Sequence, residues 1–206
     1  GIFGEGFVFA FPLIDLAFIA AKLKMDWTRT PRYRRSEGLA DHVDQGECEY
    51  EAITEDTFAS VPPFRPAPDD ASVQKAVDIL QKAARPIIVS GGGVKASGAG
   101  AELVALAERL AIPVVTSLNG KDTFPSTHPL SGGVVGTYSR ESANRAVNEA
   151  DLVCFIGTET GGMTTHFWAV PEIGRPAIQI DIEPESIGRN YPLQAAVQGD
   201  AKVTLA

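Results

Sequence analysis

The stretch RPIIVSGGGVKASGAGAELVALAERLAIPVVTSLNG, residues 85–120, decides the fold class of this chain. Two short apolar runs, at residues 86–90 and 113–117, flank residues 100–110, in which apolar side chains recur at helical spacing. A strand, a helix and a second strand in this order form a unit whose two strands run parallel. Because both strands are almost continuously apolar, we expect a sheet that is covered on both faces.

The alternation of strands and helices continues on both sides of that stretch. Towards the N-terminus, Asp69 or Asp70 caps a predicted helix that begins the domain. Towards the C-terminus we expect a helix over residues 139–149, strands at 152–156 and 177–182, a short helix at 184–188 and a last short strand at 196–197. The pattern predicts an α/β domain in which helices cover both faces of a parallel sheet.

The first 61 residues differ in composition from the rest of the chain. Residues 1–24 are apolar, but acids and a proline interrupt them and the positive charges follow them, so neither a membrane span nor a signal peptide is expected. A polar segment follows and leads into the proline-rich run at residues 61–68. We predict a less regular N-terminal remnant and linker over residues 1–61 and a nucleotide-binding-type domain over residues 62–206. Since the sequence does not begin with Met, we also expect a fragment of a longer protein.

Composition and charge limit the classes of partner. The 206 residues are 44% hydrophobic and 21% charged, which is typical of a globular protein. The net charge of −8 makes the surface repel phosphate backbones, so nucleic-acid binding is not expected. Cys48 and Cys154 form neither a disulfide framework nor a metal-ligand spacing, and Cys154, in an apolar run, is expected to be a buried hydrophobic residue. These features favour a reducing, cytoplasmic location.

Mostly small or acidic residues lie at the carboxyl ends of five predicted strands or directly after them. They are Gly91, Gly92 and Gly93; Ser117, Leu118, Asn119 and Gly120; Gly157, Thr158 and Glu159; Asp181 and Glu183; and Gly199 and Asp200. In an open parallel sheet, ligands bind beyond the carboxyl ends of the strands, where an acid accepts hydrogen bonds from ribose hydroxyls. The glycine run does not have the GxGxxG spacing. Two alternatives stay open: a nucleotide site, and a nucleotide-type fold whose site has been emptied.

The sequence predicts no catalytic residue and no metal ligand. His42 and His128 are expected to be an exposed residue and a turn residue, while His166 is expected to be a structural loop residue near the mouth of the sheet. Lys121 and Asp122 are candidates for lining the cleft without a catalytic role. No pairing of a nucleophile with a histidine, and no metal-ligand cluster, is recognisable in the sequence.

Three blocks of the sequence resemble a known family. Residues 85–133, 143–158 and 178–205, in this order and spacing, are similar to the central domain of thiamine diphosphate-dependent enzymes, most closely the acetolactate synthase group. The resemblance implies a Rossmann-like parallel sheet that sits between a pyrimidine-binding and a pyrophosphate-binding domain of the same enzyme, within a homo-oligomer. It also implies transferase or lyase chemistry that forms or cleaves a C–C bond next to a carbonyl.

The resemblance also implies which residues face a cofactor. By position these are Gly91, Gly92, Gly93, Thr116, Ser117, Leu118, Gly157, Asp181, Ile182, Gly199 and Asp200. In acetolactate synthases the central domain binds FAD, and in relatives it binds another nucleotide, such as ADP, or nothing. Where FAD-binding members carry an arginine and an aspartate, this chain has GTETGGM at residues 157–163, so one phosphate partner is missing.

The family's catalytic groups are not recognisable in this chain. Thiamine chemistry in the family needs a glutamate of the first domain and a Gly-Asp-Gly…Asn motif of the third domain, which holds Mg²⁺. We therefore expect that the parent enzyme uses thiamine diphosphate and Mg²⁺ but that this chain alone binds neither and is inactive. The alternative is a non-catalytic nucleotide-binding domain, or a structural and interaction domain with an emptied site.

Overall fold

Six strands of the described part of the chain pair into one sheet, and every pairing is parallel. The computed structural model describes residues 60–206. Cys48, His42 and residues 1–59 of the predicted N-terminal remnant lie outside the described residues, and the domain boundary after residue 61 stays a prediction. The parallel α/β sheet that the sequence predicts is confirmed.

The strands are β1 (Pro86–Ser90), β2 (Val114–Thr116), β3 (Ser131–Val134), β4 (Leu152–Ile156), β5 (Ala177–Asp181) and β6 (Ala195–Gln198). The helices are α1 (Asp70–Lys82), α2 (Gly92–Ser97), α3 (Gly100–Leu110), α4 (Glu141–Glu149) and α5 (Ala201–Leu205), and a 3-10 turn covers Lys121–Thr123. None of the helices within residues 60–206 has the length and hydropathy that crossing a bilayer requires.

The strand order places a topological switch point between β1 and β4. Across the sheet the order is β3-β2-β1-β4-β5-β6, so the chain first moves outward from β1 in one direction and then returns to continue in the other. Ser90 pairs with Ile156, so β1 and β4 end level with each other. In doubly wound sheets, ligands bind in the crevice at this point. The first turn after β1 and the first turn after β4 therefore lie side by side.

Two hydrophobic clusters cover the two faces of the sheet, because successive strand side chains point in opposite directions. One cluster takes Ile88, Val114, Cys154 and Ile178 from the strands, with α1, α2, α3 and α5 packed on them. The other takes Ile87, Val89, Val153 and Phe155, with Ala143 and Val147 of α4 packed on them. Helices therefore cover both faces, as predicted, and the expectation that Cys154 is a buried apolar residue is confirmed at 1% exposure.

One predicted element is wrong, and some observed elements were not predicted. Gly92–Ser97 forms a short helix directly after β1, where no helix was predicted. Ser131–Val134 forms a half-buried edge strand. The sequence SGGV does not predict a strand, because it has only one apolar side chain. Residues 184–188, which were predicted as a short helix, form consecutive turns that end at Gly188 with φ +71°. The other predicted elements are present with ends that differ by one or two residues.

Candidate functional site

The first turn after β1 packs directly against the first turn after β4. The backbone N–H of Gly91 donates to Ile156 O at 2.8 Å, and that of Gly93 donates to Gly157 O at 2.9 Å. A Cβ on Gly91 would lie 2.8 Å from the carbonyl carbon of Gly157, and one on Gly93 would lie 2.8 Å from its Cα. The glycines are therefore needed for close packing of the protein on itself. A phosphate group at this turn would compete with the carbonyl oxygens that these two N–H groups already use.

On the β5–β6 side of that turn lies a cavity of about 60 Å³, which we call the acidic cavity. Its lining includes these six residues that the sequence places at the site: Gly93, Gly157, Asp181, Ile182, Gly199 and Asp200. The carboxyl ends of β1, β4, β5 and β6 therefore converge, as the strand order requires. None of the lining residues, all of which belong to the described part, is Lys or Arg. A pocket that encloses a small molecule measures about 300–1,000 Å³, so in this conformation the cavity holds no whole nucleotide.

Asp181 is a buried acid at the carboxyl end of β5. Its Oδ1 accepts a hydrogen bond from the backbone N–H of Glu183 at 3.0 Å. Burial raises the pKa of the Asp181 carboxyl above its ordinary value, and the neighbouring charges of Glu159 and Glu183 act in the same direction, against backbone hydrogen bonds that lower it. A carboxylate that has lost water in this way gains from any further hydrogen-bond donor. Asp181 is therefore suited to accept hydrogen bonds from hydroxyl groups of a ligand.

Asp200 is 1% exposed, and protein donors surround its carboxylate. Nη1 of Arg65 lies 3.0 Å from Oδ1 and 3.2 Å from Oδ2. Ser97 Oγ donates to Oδ1 at 2.9 Å, and Oδ1 also caps α5 by accepting from the N–H groups of Lys202 and Val203. These contacts give Asp200 a structural role, and its predicted contact with a cofactor stays a prediction.

A second cavity, of about 180 Å³, lies on the β2–β3 side of the switch point. Ser117 and Leu118 line it, together with Tyr138 and Met163, and Leu118 is 57% exposed. Ser117 Oγ accepts a hydrogen bond from the N–H of Gly120 at 3.0 Å, so the serine side chain stabilises the turn that follows β2. The apolar side chains of Leu118, Tyr138 and Met163 therefore lie beside polar groups in this cavity.

The remaining predicted residues lie between or beneath the two cavities. Gly91 and Gly92 occupy the turn between them, and Thr116 is buried at the end of β2. A larger cavity, of about 680 Å³, lies at the opposite edge of the sheet, near Pro86 and Pro113. We place the site at the carboxyl edge because parallel α/β sheets bind their ligands there.

Sequence reasoning missed the conformation of the loop that follows β4. His166, Phe167 and Trp168 all have positive φ, between 48° and 62°, which is a left-handed turn of three residues that are not glycine. Such a conformation costs roughly 1–2 kcal/mol per residue, and no local sequence signal announces it. All three side chains are exposed, so His166 lies at the surface of the carboxyl edge.

Other candidate chemical groups in the described residues have structural partners. Nε2 of His128 lies 3.1 Å from Glu108 Oε1, and its ring packs edge-on against Phe124. Lys95 Nζ lies 3.1 Å from Asp122 Oδ2 on the surface. Within residues 60–206, no group of three or more His, Cys, Asp or Glu side chains is arranged to hold a metal ion.

Comparison with known proteins gives one family. The family model described as "Thiamine pyrophosphate enzyme, central domain" matches residues 73–206. In the solved structures, the chain is similar to an enzyme from Mycobacterium smegmatis that is assigned to the thiamin diphosphate-dependent class. That similarity has a TM-score of 0.57 and 25% identity, and it covers 78% of this chain and 29% of the other.

Curated relatives carry related names. A probable acetolactate synthase large subunit from Methanocaldococcus jannaschii is 37% identical over 81% of this chain and 29% of its own length. A sulfoacetaldehyde acetyltransferase from Rhodobacter capsulatus is 36% identical over 66% of this chain and 24% of its own length. A glyoxylate carboligase from Escherichia coli O157:H7 is 34% identical over 79% of this chain and 27% of its own length. The chain thus spans less than a third of the length of these relatives.

Proposed function

The chain belongs to the family of thiamine pyrophosphate enzyme central domains, and from this we propose that it serves in an enzyme of the acetolactate synthase type. In this proposal the whole enzyme forms or cleaves a C–C bond next to a carbonyl, as a cytoplasmic homo-oligomer. The observation that carries the proposal is the family match over residues 73–206, together with relatives that are named as an acetolactate synthase, an acetyltransferase and a carboligase.

The described residues do not fit thiamine diphosphate with Mg²⁺. A diphosphate needs cationic or N–H partners, but Asp181 and Asp200 line the acidic cavity and the N–H groups of Gly91 and Gly93 have carbonyl acceptors. We therefore propose that the pyrimidine- and pyrophosphate-binding domains of the same enzyme hold that cofactor. The described chain supports them as a scaffold. Purified chain supplied with thiamine diphosphate, Mg²⁺ and pyruvate is expected to form no acetolactate, and measurable acetolactate would contradict this division of roles.

For the central domain itself we propose binding of the adenosine part of a nucleotide, as in FAD or ADP. Asp181 supports this proposal, because a desolvated carboxylate at the carboxyl end of a parallel strand lies where these sheets bind ligands and is suited to accept hydrogen bonds from ribose hydroxyls. The apolar lining by Leu118, Tyr138 and Met163 offers a surface for a planar ring on the other side of the switch point. The loop GTETGGM at residues 157–163 has no arginine that could bind the diphosphate, so we expect weak binding of FAD.

A second candidate, a structural domain with an emptied site, has its own support. The acidic cavity of about 60 Å³ is too small for a nucleoside as it stands, and protein groups already use the N–H donors of the first turn. In that case the domain supplies surfaces for packing against other domains and binds no ligand. The two candidates differ in one measurable property, which is the affinity of the chain for nucleotides.

Isothermal titration calorimetry with ADP and with FAD separates the two candidates. The full chain is expected to bind ADP, and the Asp181→Asn variant to bind it about tenfold or more weakly, because a hydrogen bond to a charged acceptor is lost. Asp122→Asn is the matched control: it removes an exposed carboxylate that contacts Lys95 and is expected to leave the affinity unchanged. No heat with either nucleotide would favour the structural domain.

A further inference from the structure

A proline-rich segment, residues 62–68 (PPFRPAP), lies against the end of β6 and the start of α5, and we call it the strap. The backbone N–H of Asp200 donates to Pro66 O at 2.9 Å. A Cβ on Gly199 would lie 3.2 Å from both N and Cβ of Pro68, so the strap approaches the edge of the sheet closely. Four of its seven residues are proline, which has no N–H to donate and makes the strap stiff.

One side chain of the strap enters the edge of the sheet. Nη1 of Arg65 lies within hydrogen-bonding distance of both carboxylate oxygens of Asp200, of Ser97 O at 2.9 Å and of Ser97 Oγ at 3.2 Å, and its two N–H groups are shared among these acceptors. The exposed fraction is 42% for the Arg65 side chain and 1% for that of Asp200. A buried carboxylate that loses its cationic partner is strongly destabilised, so Asp200 favours the conformation in which the strap is in place.

The strap also forms a wall of the acidic cavity. Pro62 lines that cavity together with Asp181 and Ile182, and Asp200, which contacts Arg65, lines it too. The volume of about 60 Å³ is thus the volume with the strap closed. If the strap moves away as one stiff piece, its wall is removed and the carboxylate of Asp181 becomes accessible from outside.

We propose that the ion pair of Arg65 and Asp200 is a latch, which holds the strap over the acidic cavity and opens to admit a nucleotide. This inference rests on the nucleotide-binding function proposed above and adds its regulation. The small cavity is then the closed state of the site.

The latch is tested in the full chain with the double variant Arg65→Leu, Asp200→Asn. It removes both charges together, so no unpaired charge is buried, and asparagine still caps α5. The exposed ion pair of Lys95 and Asp122, on the same edge, gives the matched control Lys95→Met. Arg65→Lys, which keeps the charge but replaces the guanidinium by a more strongly hydrated ammonium group, is expected to give an intermediate result.

Two measurements report on the latch. Amide hydrogen exchange at residue 200, whose N–H contacts Pro66, reports opening of the strap, and stopped-flow association of ADP reports access to the cavity. In the double variant both are expected to be about tenfold faster than in the wild type, while the control matches the wild type.

The outcomes separate the latch from the proposed function. If amide exchange at residue 200 is unchanged in the double variant, the latch is overturned, whether or not the association rate of ADP changes. Faster exchange with unchanged ADP association overturns the strap as a gate but leaves nucleotide binding intact. If neither protein binds ADP although exchange is faster, the nucleotide-binding function itself is overturned, and the gate with it.

Discussion

Replacing Gly91 by alanine is expected to destabilise the domain strongly, because the added Cβ meets backbone. The Cβ would lie 2.5 Å from Thr158 Cβ and 2.8 Å from Gly157 C, with Gly157 O nearer still. Real Cβ atoms essentially never come within 3.0 Å of such atoms, so the two turns must separate by about 0.5 Å or more. That movement strains the hydrogen bond from Gly91 N–H to Ile156 O and the one from Gly93 N–H to Gly157 O, which join the two halves of the sheet.

The expected cost follows from these contacts. Overpacking contributes about 1–3 kcal/mol, and weakening two backbone hydrogen bonds adds about 0.5–1 kcal/mol each, which gives about 2–5 kcal/mol. For a domain of this size each kcal/mol lowers Tm by about 2–4 °C, so a fall of roughly 4–20 °C is expected.

Thermal unfolding followed by circular dichroism measures this fall, and Gly161→Ala is the matched control. No atom lies within 4 Å of a Cβ added at Gly161, whose φ is outside the left-handed region, so that variant is expected to stay within about 0.5 kcal/mol of the wild type. A Gly91→Ala protein that melts within about 2 °C of the wild type would refute the packing argument.

Three further predictions concern other parts of the domain. Tyr191→Phe is expected to cost about 1–3 kcal/mol in urea unfolding, because the buried hydroxyl donates to Pro171 O at 2.9 Å and the carbonyl would lose its partner. Burial acts to raise the pKa of Asp151, but hydrogen bonds from two backbone N–H groups outweigh burial and lower that pKa below 3.8. The stability that the ionised carboxylate contributes is present above pH 3.8 and is lost as the pH falls through the lowered pKa. Asp151→Asn should therefore flatten the pH dependence of unfolding below pH 4, and an unchanged acid slope would contradict this. Burial raises the pKa of the Cys154 thiol to about 12, so in a Cys48→Ser background a thiol reagent at pH 8 is expected to react only after denaturant is added.

Elements with a continuous pattern could be predicted from sequence. β1 and β4 have continuous apolar runs and α3 has a regular apolar stripe, and their bounds match the predictions. β3 was missed because an edge strand needs fewer apolar side chains, and its pairing with β2 decides its conformation. α2 was missed because glycine disfavours helix, while packing of Gly93 on Gly157 compensates for that preference.

The convergence of the site residues was predictable, but their partners were not. Strand order alone brings Gly93, Asp181 and Asp200 to one cavity, because parallel strands end at the same edge. The pairing of Asp200 with Arg65 joins residues 135 positions apart, and no local pattern relates them. Tertiary packing decides which side chain neutralises a buried acid, so the sequence predicted the position of Asp200 at the carboxyl edge but not its pairing with Arg65.

The contact between Pro66 and Asp200 also bears on how the domain combines with others. It brings the segment that precedes α1 next to the start of α5, within one hydrogen bond of 2.9 Å. A module with neighbouring entry and exit points is easily inserted into another protein, because it hardly changes the spacing of the sequences it interrupts.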